Sequence, residues 1–258
     1  MLPNMVIVGA QKCGTTTLTG LLRRHPQVRM SRPKELHFFD WHFDRGLEWY
    51  AEQFRPRRPR QRRQHVVGEA TPSYLYLEQA RERLTRTLPE ARLVAILRDP
   101  ARRAYSHYWH ERRLGNEPLE TFEEALDREP ERLAAGGRTR QRHSYVDRGH
   151  YLDQILPLVE AQGRERIHVM LLDDLVTDRD CALRGLADSL GIDAAPFTEV
   201  GEVWQNRSDD VSREGAARQE RYPPMNPATR ARLVEEYRES NARLAEWLGR
   251  ALPSAWQV

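Results

Sequence analysis

A lysine in a glycine-bounded loop is the first feature of this chain that points to chemistry. The chain has 41 Lys and Arg residues, and only two of them, Lys12 and Lys34, are lysines. A lysine ammonium is a compact point donor to a single oxygen atom, a role that a planar guanidinium does not replace. Lys12 lies between Gly9 and Gly14, and three threonines follow at positions 15–17. Ammonium, loop amides and hydroxyls together are donors suited to a phosphate group.

The elements around this loop are predicted from apolar spacing. Residues 5–8 form an apolar run that predicts a buried strand, and leucines at positions 18, 21 and 22 predict a helix over 15–24. A strand, a loop and a helix in this order direct backbone amides and a helix N-terminus toward an anion. The plainer alternative is an ordinary strand-to-helix turn.

The loop differs from a Walker A motif, which has its lysine directly after the second glycine. Here Thr15 follows Gly14, and Lys12 precedes it by two residues. The predicted strand at 93–97 ends in Arg98 and Asp99, so a cation precedes the only acid where a metal-binding carboxylate would be expected. We therefore predict a phosphate site without an obligatory metal ion, and a P-loop kinase or NTPase stays the alternative.

Residues 11–17, Gln-Lys-Cys-Gly-Thr-Thr-Thr, resemble the 5′-phosphosulfate loop of sulfotransferases that use 3′-phosphoadenosine 5′-phosphosulfate (PAPS). The resemblance implies that Lys12 stabilises charge on the leaving oxygen and that PAP is the product. It also implies cofactor contacts along the whole loop, at Gln11, Lys12, Cys13, Gly14, Thr15, Thr16 and Thr17.

Two further segments extend the resemblance to the cofactor. Residues 97–108 resemble the element that binds the 3′-phosphate, in which Arg98 and Ser106 would be the donors. Arginine suits this role because its planar fork donates two hydrogen bonds to one phosphate. Residues 204–208 lie where the family has a late loop over PAPS, which makes Arg207 a candidate.

The acceptor side resembles the heparan sulfate 3-O- and N-sulfotransferase branch, through residues 34–41, Lys-Glu-Leu-His-Phe-Phe-Asp-Trp. The resemblance implies that Glu35 is the general base. It also places His37 with Glu35 in catalysis and Asp40 in the acceptor site, and Lys34 is predicted to contact substrate. A carboxylate of reference pKa about 4.3 would act best as a base if partial burial raised its pKa.

Residues 68–75 resemble a strand-end motif of the same branch, with one departure. Ala70 stands where those enzymes usually carry a catalytic lysine, and Lys34 is a candidate replacement for that cation. Glu69, just before it, is predicted to bind substrate, to orient Lys12, or to support the turn that follows.

Strand and helix patterns alternate along the 258 residues, which predicts one α/β domain over 1–258. The predicted strands are 5–8, 65–69, 93–97 and 167–172. The predicted helices are 15–24, 46–53, 78–88, 101–114, 151–162, 182–190 and 228–248. We expect a parallel, P-loop-like sheet with helices on both faces, the sulfotransferase fold, with its ligands at the carboxyl ends of the strands. His107 is expected on a helix surface, and residues 134–143 are expected to form a loop.

The composition of the chain bears on which classes of ligand and partner it is expected to bind. A net charge of +3 does not by itself indicate nucleic acid, and no His/Cys cluster has zinc spacing. A cytoplasmic protein is predicted, because the chain has only two cysteines, no visible signal peptide and no long apolar span. The resemblance implies a bacterial relative of the heparan sulfate enzymes. The acceptor is expected to be a small molecule or a carbohydrate, and the oligomeric state stays open.

Six arginines lie within residues 55–63. A solvated loop is the favoured interpretation, and electrostatic guidance of an anionic acceptor is the alternative. A non-enzymatic, arginine-rich anion-binding protein is a third hypothesis for the whole chain, but it leaves the segments around Lys12, Glu35 and Arg98 unexplained.

Overall fold

The computed structural model describes residues 1–56, 64–199 and 222–258. The chain divides into two compact units, Met1–Leu97 with Gln154–Gln205, and Arg98–Asp153 with Asn206–Val258. The single domain expected over 1–258 stays a prediction.

The first unit contains a five-stranded parallel sheet in the order β2-β3-β1-β4-β5. Its strands are β1 (Met5–Gly9), β2 (Val28–Met30), β3 (Val66–Ala70), β4 (Arg92–Leu97) and β5 (Ile167–Leu171). Most of their residues are buried, as expected of a parallel sheet covered on its faces. The prediction of an α/β fold with a parallel sheet is confirmed, except that the three residues of β2 were too few to be recognised.

Helices flank this sheet. Leu18, Leu21 and Leu22 lie on the buried side of α1 (Thr15–Arg24), which packs against β2. Two later helices, α9 (Leu172–Thr177) and α10 (Arg179–Leu190), pack against β5. The helices of this part of the chain are α1 (Thr15–Arg24), α2 (Gly46–Glu52), α3 (Glu78–Thr87), α9 (Leu172–Thr177), α10 (Arg179–Leu190) and α11 (Ala195–Glu199). A further helix, α8, covers Tyr151–Gln162. Residue 172, predicted as the end of a strand, instead begins α9.

Glycine at position 9 allows the chain after β3 to approach β1 closely. Leu75 donates its amide hydrogen to the carbonyl oxygen of Val8 at 2.9 Å. A Cβ at Gly9 would lie 2.6 Å from the Cβ of Leu75, closer than such atoms pack. The loops that follow β1 and β3 are therefore held together at the carboxyl edge of the sheet.

The second unit is helical. Its helices are α4 (Pro100–Arg113), α5 (Phe122–Asp127), α6 (Glu129–Ala135), α7 (Gly137–His143), α12 (Pro227–Glu236) and α13 (Arg238–Leu248). Asp99 caps α4 by accepting a hydrogen bond from the amide of Ala101 at 3.0 Å. Thr121 and Glu124 form a capping box at the start of α5. Tyr108, Tyr145 and Tyr237 are among the residues of its aromatic core.

Three expectations are wrong in this unit. His107 is fully buried rather than on the surface, and its ring lies 5.0 Å from that of Tyr145. Residues 134–143, expected to form a loop, contain the last two residues of α6 and all of α7. The sequence did not indicate these helices because this polar stretch lacks the apolar spacing of a helix. The predicted helix over 228–248 is two helices, which meet at Tyr237.

Over the described ranges, the helices are too short or too polar to cross a bilayer. In the same ranges, His, Cys, Asp and Glu side chains do not gather into groups of three or more with metal-binding geometry.

Candidate active site

The loop after β1 has a backbone suited to an anion. Lys12 has a φ of 68° and Gly14 a φ of 92°, so both lie in the left-handed region that a non-glycine residue seldom adopts. Helix α1 begins at Thr15 without a side-chain cap. The first amides of a helix lack partners inside it, so the amides at this end are suited to hold a ligand.

Gly14 is required for its space as well as its conformation. A Cβ there would lie 2.8 Å from Cδ1 of Leu172, at the start of α9. Of the predicted cofactor residues, Gln11, Lys12 and Thr16 are partly exposed, whereas Thr15 and Thr17 are largely buried.

Cys13 is the exception in this loop. Its side chain is fully buried, and its amide donates a hydrogen bond to the carbonyl oxygen of Ala10 at 3.2 Å. The thiol of Cys13 also contacts the carbonyl oxygen of Gln11, and the predicted cofactor contact of Cys13 stays a prediction.

Four predicted acceptor-side residues form a continuous polar row beyond β2. His37 lies between two carboxylates, with Nε2 3.2 Å from Oε2 of Glu35 and Nδ1 2.9 Å from Oδ2 of Asp40. Lys34 places Nζ 2.9 Å from the other oxygen of Glu35. Ser73 extends the row by donating its hydroxyl hydrogen to Oδ2 of Asp40 at 2.6 Å.

The contacts in this row lower the pKa of Glu35 and raise the pKa of His37. Burial alone would raise the pKa of Glu35, but the hydrogen bond from His37 and the charge of Lys34 outweigh it and lower that pKa. Burial alone would lower the pKa of His37, but hydrogen bonds to Asp40 and Glu35 raise it to about 9. Partial burial therefore does not raise the pKa of Glu35 here, because Lys34 and His37 both contact its carboxylate.

The backbone of His37 has a φ of 50°, a second strained position in the same part of the molecule. Trp41 stacks on its imidazole with ring centroids 3.8 Å apart and planes 9° apart. The indole is nevertheless 55% exposed.

Glu69 occupies a different environment from Glu35. It is completely buried at the end of β3, where Tyr50 donates a hydrogen bond to it at 2.5 Å and Thr71 another at 2.8 Å. Burial raises its pKa to about 7, although these hydrogen bonds oppose the rise. The carboxylate of Glu69 does not reach the surface, and its predicted substrate contact stays a prediction.

Asp40 is likewise enclosed, since its side chain is 0% exposed and is engaged by His37 and Ser73. Its geometry fits a group that orients His37 better than the predicted substrate contact. The ammonium of Lys34 contacts Glu35. That Lys34 replaces the catalytic lysine for which this chain has Ala70, a buried residue on β3, stays a prediction.

Sequence analysis missed the hydroxyl groups of this site, those of Tyr50, Thr71, Ser73 and Tyr74. The signal available was the density of hydroxyl residues directly after the strand that ends at Ala70. Thr71 and Tyr74 have a local partner in Glu69, but each of the four hydroxyls also has a partner 19 to 36 residues away in sequence, and those pairings required the fold.

Arg98 and Ser106 belong to the second unit, before and within α4. Both are partly exposed, and the backbone carbonyl of Arg98 accepts a hydrogen bond from the Tyr151 hydroxyl at 2.8 Å. Their roles as phosphate donors stay predictions. Arg207 lies outside the described residues, as does most of the arginine run, from 57 to 63.

Comparison with known proteins agrees with this arrangement. A crystal structure of a sulfotransferase from Alicyclobacillus acidocaldarius superposes with a TM-score of 0.77 at 28% identity and covers 100% of both chains. The human bifunctional heparan sulfate N-deacetylase/N-sulfotransferase 3 is 27% identical over 98% of this chain and 31% of its own length. The membrane-associated sulfotransferase kil1 of Dictyostelium discoideum is 39% identical over 42% of this chain and 22% of its own.

This chain thus spans between about a fifth and a third of the length of these curated relatives. The family model that describes a sulfotransferase domain matches residues 2–249, nearly the whole sequence. Together with the loop at Lys12 and the parallel sheet that carries it, this match shows that the chain belongs to the sulfotransferase family.

Proposed function

We propose that this protein transfers the sulfuryl group of PAPS to a hydroxyl, or an amine, of an acceptor. The observation that carries the proposal is Glu35, a carboxylate that is 31% exposed and held by Lys34 and His37. It follows β2 at the same edge of the sheet as the loop of Lys12, where ligands of parallel sheets bind.

The residues of the β1 loop fit the 5′ end of PAPS. The uncapped start of α1 and the left-handed conformations at Lys12 and Gly14 form a cradle of donors for an anionic group. PAPS, when bound, supplies the sulfuryl group and leaves as PAP. Lys12 would stabilise the negative charge that develops on the departing oxygen. Thr16, which is partly exposed, would add a hydroxyl donor.

Glu35 would take the proton of the acceptor hydroxyl as the new S–O bond forms. Its lowered pKa keeps it ionised at neutral pH, and the contacts with Lys34 and His37 fix both of its oxygens. A base of low pKa is weaker than one near neutrality, so its orientation carries a larger share of its effect.

The acceptor that we propose is a ring-shaped molecule, with carbohydrate favoured. Trp41 supports this class, because an exposed indole beside the base is suited to stack on the apolar face of a ring. The names of relatives that act on heparan sulfate point in the same direction. Hydroxyl and amine acceptors are both compatible with a carboxylate base.

We propose a reducing, cytoplasmic location as well. Cys13 and Cys181 are both free thiols, which suits such a compartment. The expectations of no nucleic-acid partner, no membrane partner and no required metal stay part of this proposal.

Transfer of labelled sulfate tests the reaction. We would incubate the protein with PAPS labelled in its sulfuryl group and a panel of sugars and phenols, and identify sulfated products by mass spectrometry. Label is expected on a ring acceptor with wild-type protein and not with Glu35→Gln. Protein that binds PAP in calorimetry but sulfates none of these acceptors would contradict the acceptor class, and failure to bind PAP would contradict the reaction.

A further inference from the structure

The hydroxyl of Thr71 joins the buried carboxylate of Glu69 to the segment that carries the proposed base. It donates its hydrogen to Oε2 of Glu69 at 2.8 Å. The same oxygen accepts hydrogen bonds from the amides of Leu36 and His37, at 3.2 and 3.4 Å. A hydroxyl has one hydrogen and two lone pairs, so these three contacts use all of its capacity.

Tyr74 repeats this arrangement one step along the segment. Its hydroxyl accepts hydrogen bonds from the amides of Phe38 and Phe39, at 2.8 and 3.3 Å. It lies 3.3 Å from Oε1 of Glu69, to which it donates. The amides of four consecutive residues, 36–39, thus end on two hydroxyls, and both hydroxyls turn their hydrogens toward one carboxylate.

We propose that ionised Glu69 is a positioning residue. By accepting the hydroxyl hydrogens of Thr71 and Tyr74, it directs their lone pairs toward the amides of residues 36–39 and so fixes Glu35 and His37. Glu69 contacts neither substrate nor the reacting atoms in this scheme. The proposal rests on the proposed function only for its effect on turnover, because the positioning of His37 is measurable without a reaction.

The protonation state of Glu69 matters for this arrangement. A protonated carboxyl carries a hydrogen of its own and donates it to one of the hydroxyls. That hydroxyl must then either turn its own hydrogen away from the carboxyl or give up the hydrogen bond that it accepts from a backbone amide. The groups that face Glu69 are the hydroxyls of Tyr50, Thr71 and Tyr74 and the charge of Asp40. None of them is a cation, so burial dominates and the carboxyl takes up its proton at about pH 7.

An ionised carboxylate at this depth costs stability, which a neutral side chain of equal size avoids. Glutamine would fill the same volume at 0% exposure, yet its amide group adds a donor where the hydroxyls of Thr71 and Tyr74 already accept from the amides of residues 36–39. The contacts are therefore those of a group that accepts hydrogen bonds only.

The test follows the imidazole of His37 by NMR in three variants, Glu69→Gln, Thr71→Val and Thr71→Ser. The chain has nine histidines, so the His37 signal is assigned by its loss in His37→Gln. The wild-type pKa of about 9 depends on contact with Glu35 and Asp40. We expect this pKa to fall toward its ordinary value by about one unit or more in Glu69→Gln and Thr71→Val. Thr71→Ser keeps the hydroxyl and is expected to restore it.

Thr229→Val is a matched control, because the Thr229 hydroxyl donates to the carboxylate of Glu123 in the second unit. It is expected to leave the pKa of His37 unchanged.

Turnover is the second readout. We expect kcat of Glu69→Gln and Thr71→Val to fall about 10²-fold, the scale of an ångström of misplacement, at nearly unchanged KM for PAPS. The acidic limb of the wild-type kcat profile near pH 7 is expected to be lost in Glu69→Gln.

Variants that melt cooperatively yet keep the wild-type pKa of His37 would overturn the proposal. If Glu69→Gln does not fold, Thr71→Val decides the question alone, because it removes only the intermediate hydroxyl. Absence of sulfate transfer by wild-type protein, combined with the expected NMR changes, would contradict the proposed function and leave the positioning role supported.

Discussion

Nε2 of His37 lies 3.2 Å from Oε2 of Glu35, and this contact makes the imidazole and the carboxylate an ion pair. Against the effect of burial, hydrogen bonds to Asp40 and to Glu35 raise the pKa of His37 to about 9, and the contact with His37 contributes to the lowered pKa of Glu35. At neutral pH the imidazole is therefore a cation that orients Glu35, and it is not itself a base. The catalytic role predicted for His37 stays a prediction, and its contacts with Glu35 and Asp40 fit a group that orients the carboxylate.

Replacement of Glu35 by Gln tests the assignment of the base. Glutamine keeps the shape and removes the basicity, so kcat is expected to fall about 10²-fold or more, with PAP affinity and Tm nearly unchanged. Glu48→Gln, at an exposed acid on α2, is the matched control and should behave as wild type. An active Glu35→Gln beside a folded but inactive Glu69→Gln would move the base to Glu69.

Lys12→Ala is expected to lower kcat more than it weakens PAP binding. The reason is that the charge opposite Lys12 is largest in the transition state, so its loss affects turnover more than ground-state binding. Steady-state kinetics and calorimetry on the same preparation separate the two effects. Lys12→Arg should rescue poorly because the guanidinium has a different shape. Wild-type turnover in that variant would show that charge alone matters.

PAP is expected to bind far more tightly than AMP and to raise Tm, because ligands that bind the native state stabilise it. The predicted donors to the 3′-phosphate are Arg98 and Ser106, so Arg98→Ala should remove most of this preference. Arg102→Ala, at an exposed position on α4, is the control. Equal affinities for PAP and AMP in wild-type protein would refute the assignment of the two donors. EDTA is expected to leave turnover intact.

His37 makes stability depend on pH with a definite sign. Its folded pKa of about 9 lies above the ordinary value of 6.5, so its stabilising contribution is complete below about pH 6.5 and is lost as pH rises through about 9. The Tm difference between wild type and His37→Gln should therefore be larger near pH 6 than near pH 10. His65→Gln, at an exposed position, is the control. A difference that does not vary with pH would contradict the ion pairs of His37.

Trp41→Ala is expected to raise KM for a ring acceptor and to leave PAP affinity unchanged. The indole is exposed beside the base, so its loss removes a stacking surface from the acceptor side only. Trp41→Phe keeps an aromatic face and should recover most of the affinity. An unchanged acceptor KM in Trp41→Ala would exclude stacking as a source of specificity.

Local sequence was sufficient for the parts of the protein that depend on nearest neighbours. Apolar runs predicted four of the five strands, and the apolar spacing on either side of residues 10–14 predicted a loop between a strand and a helix there. Glu35 and His37 are two residues apart in sequence, and their side chains are in contact. Such features repeat over a few residues, and backbone geometry converts that spacing directly into position.

Tertiary structure decided burial, and with it the chemistry of each carboxylate. Glu35 and Glu69 are both glutamates beside predicted strand ends, yet the pKa of one is lowered and that of the other raised to about 7. Glu35 meets Lys34 and His37 near the surface, whereas Glu69 meets the hydroxyl of Tyr50, 19 residues away, in the interior. A pKa depends on solvent and charges within a few ångströms, and which residues lie that close is set by the fold rather than by the order of the chain.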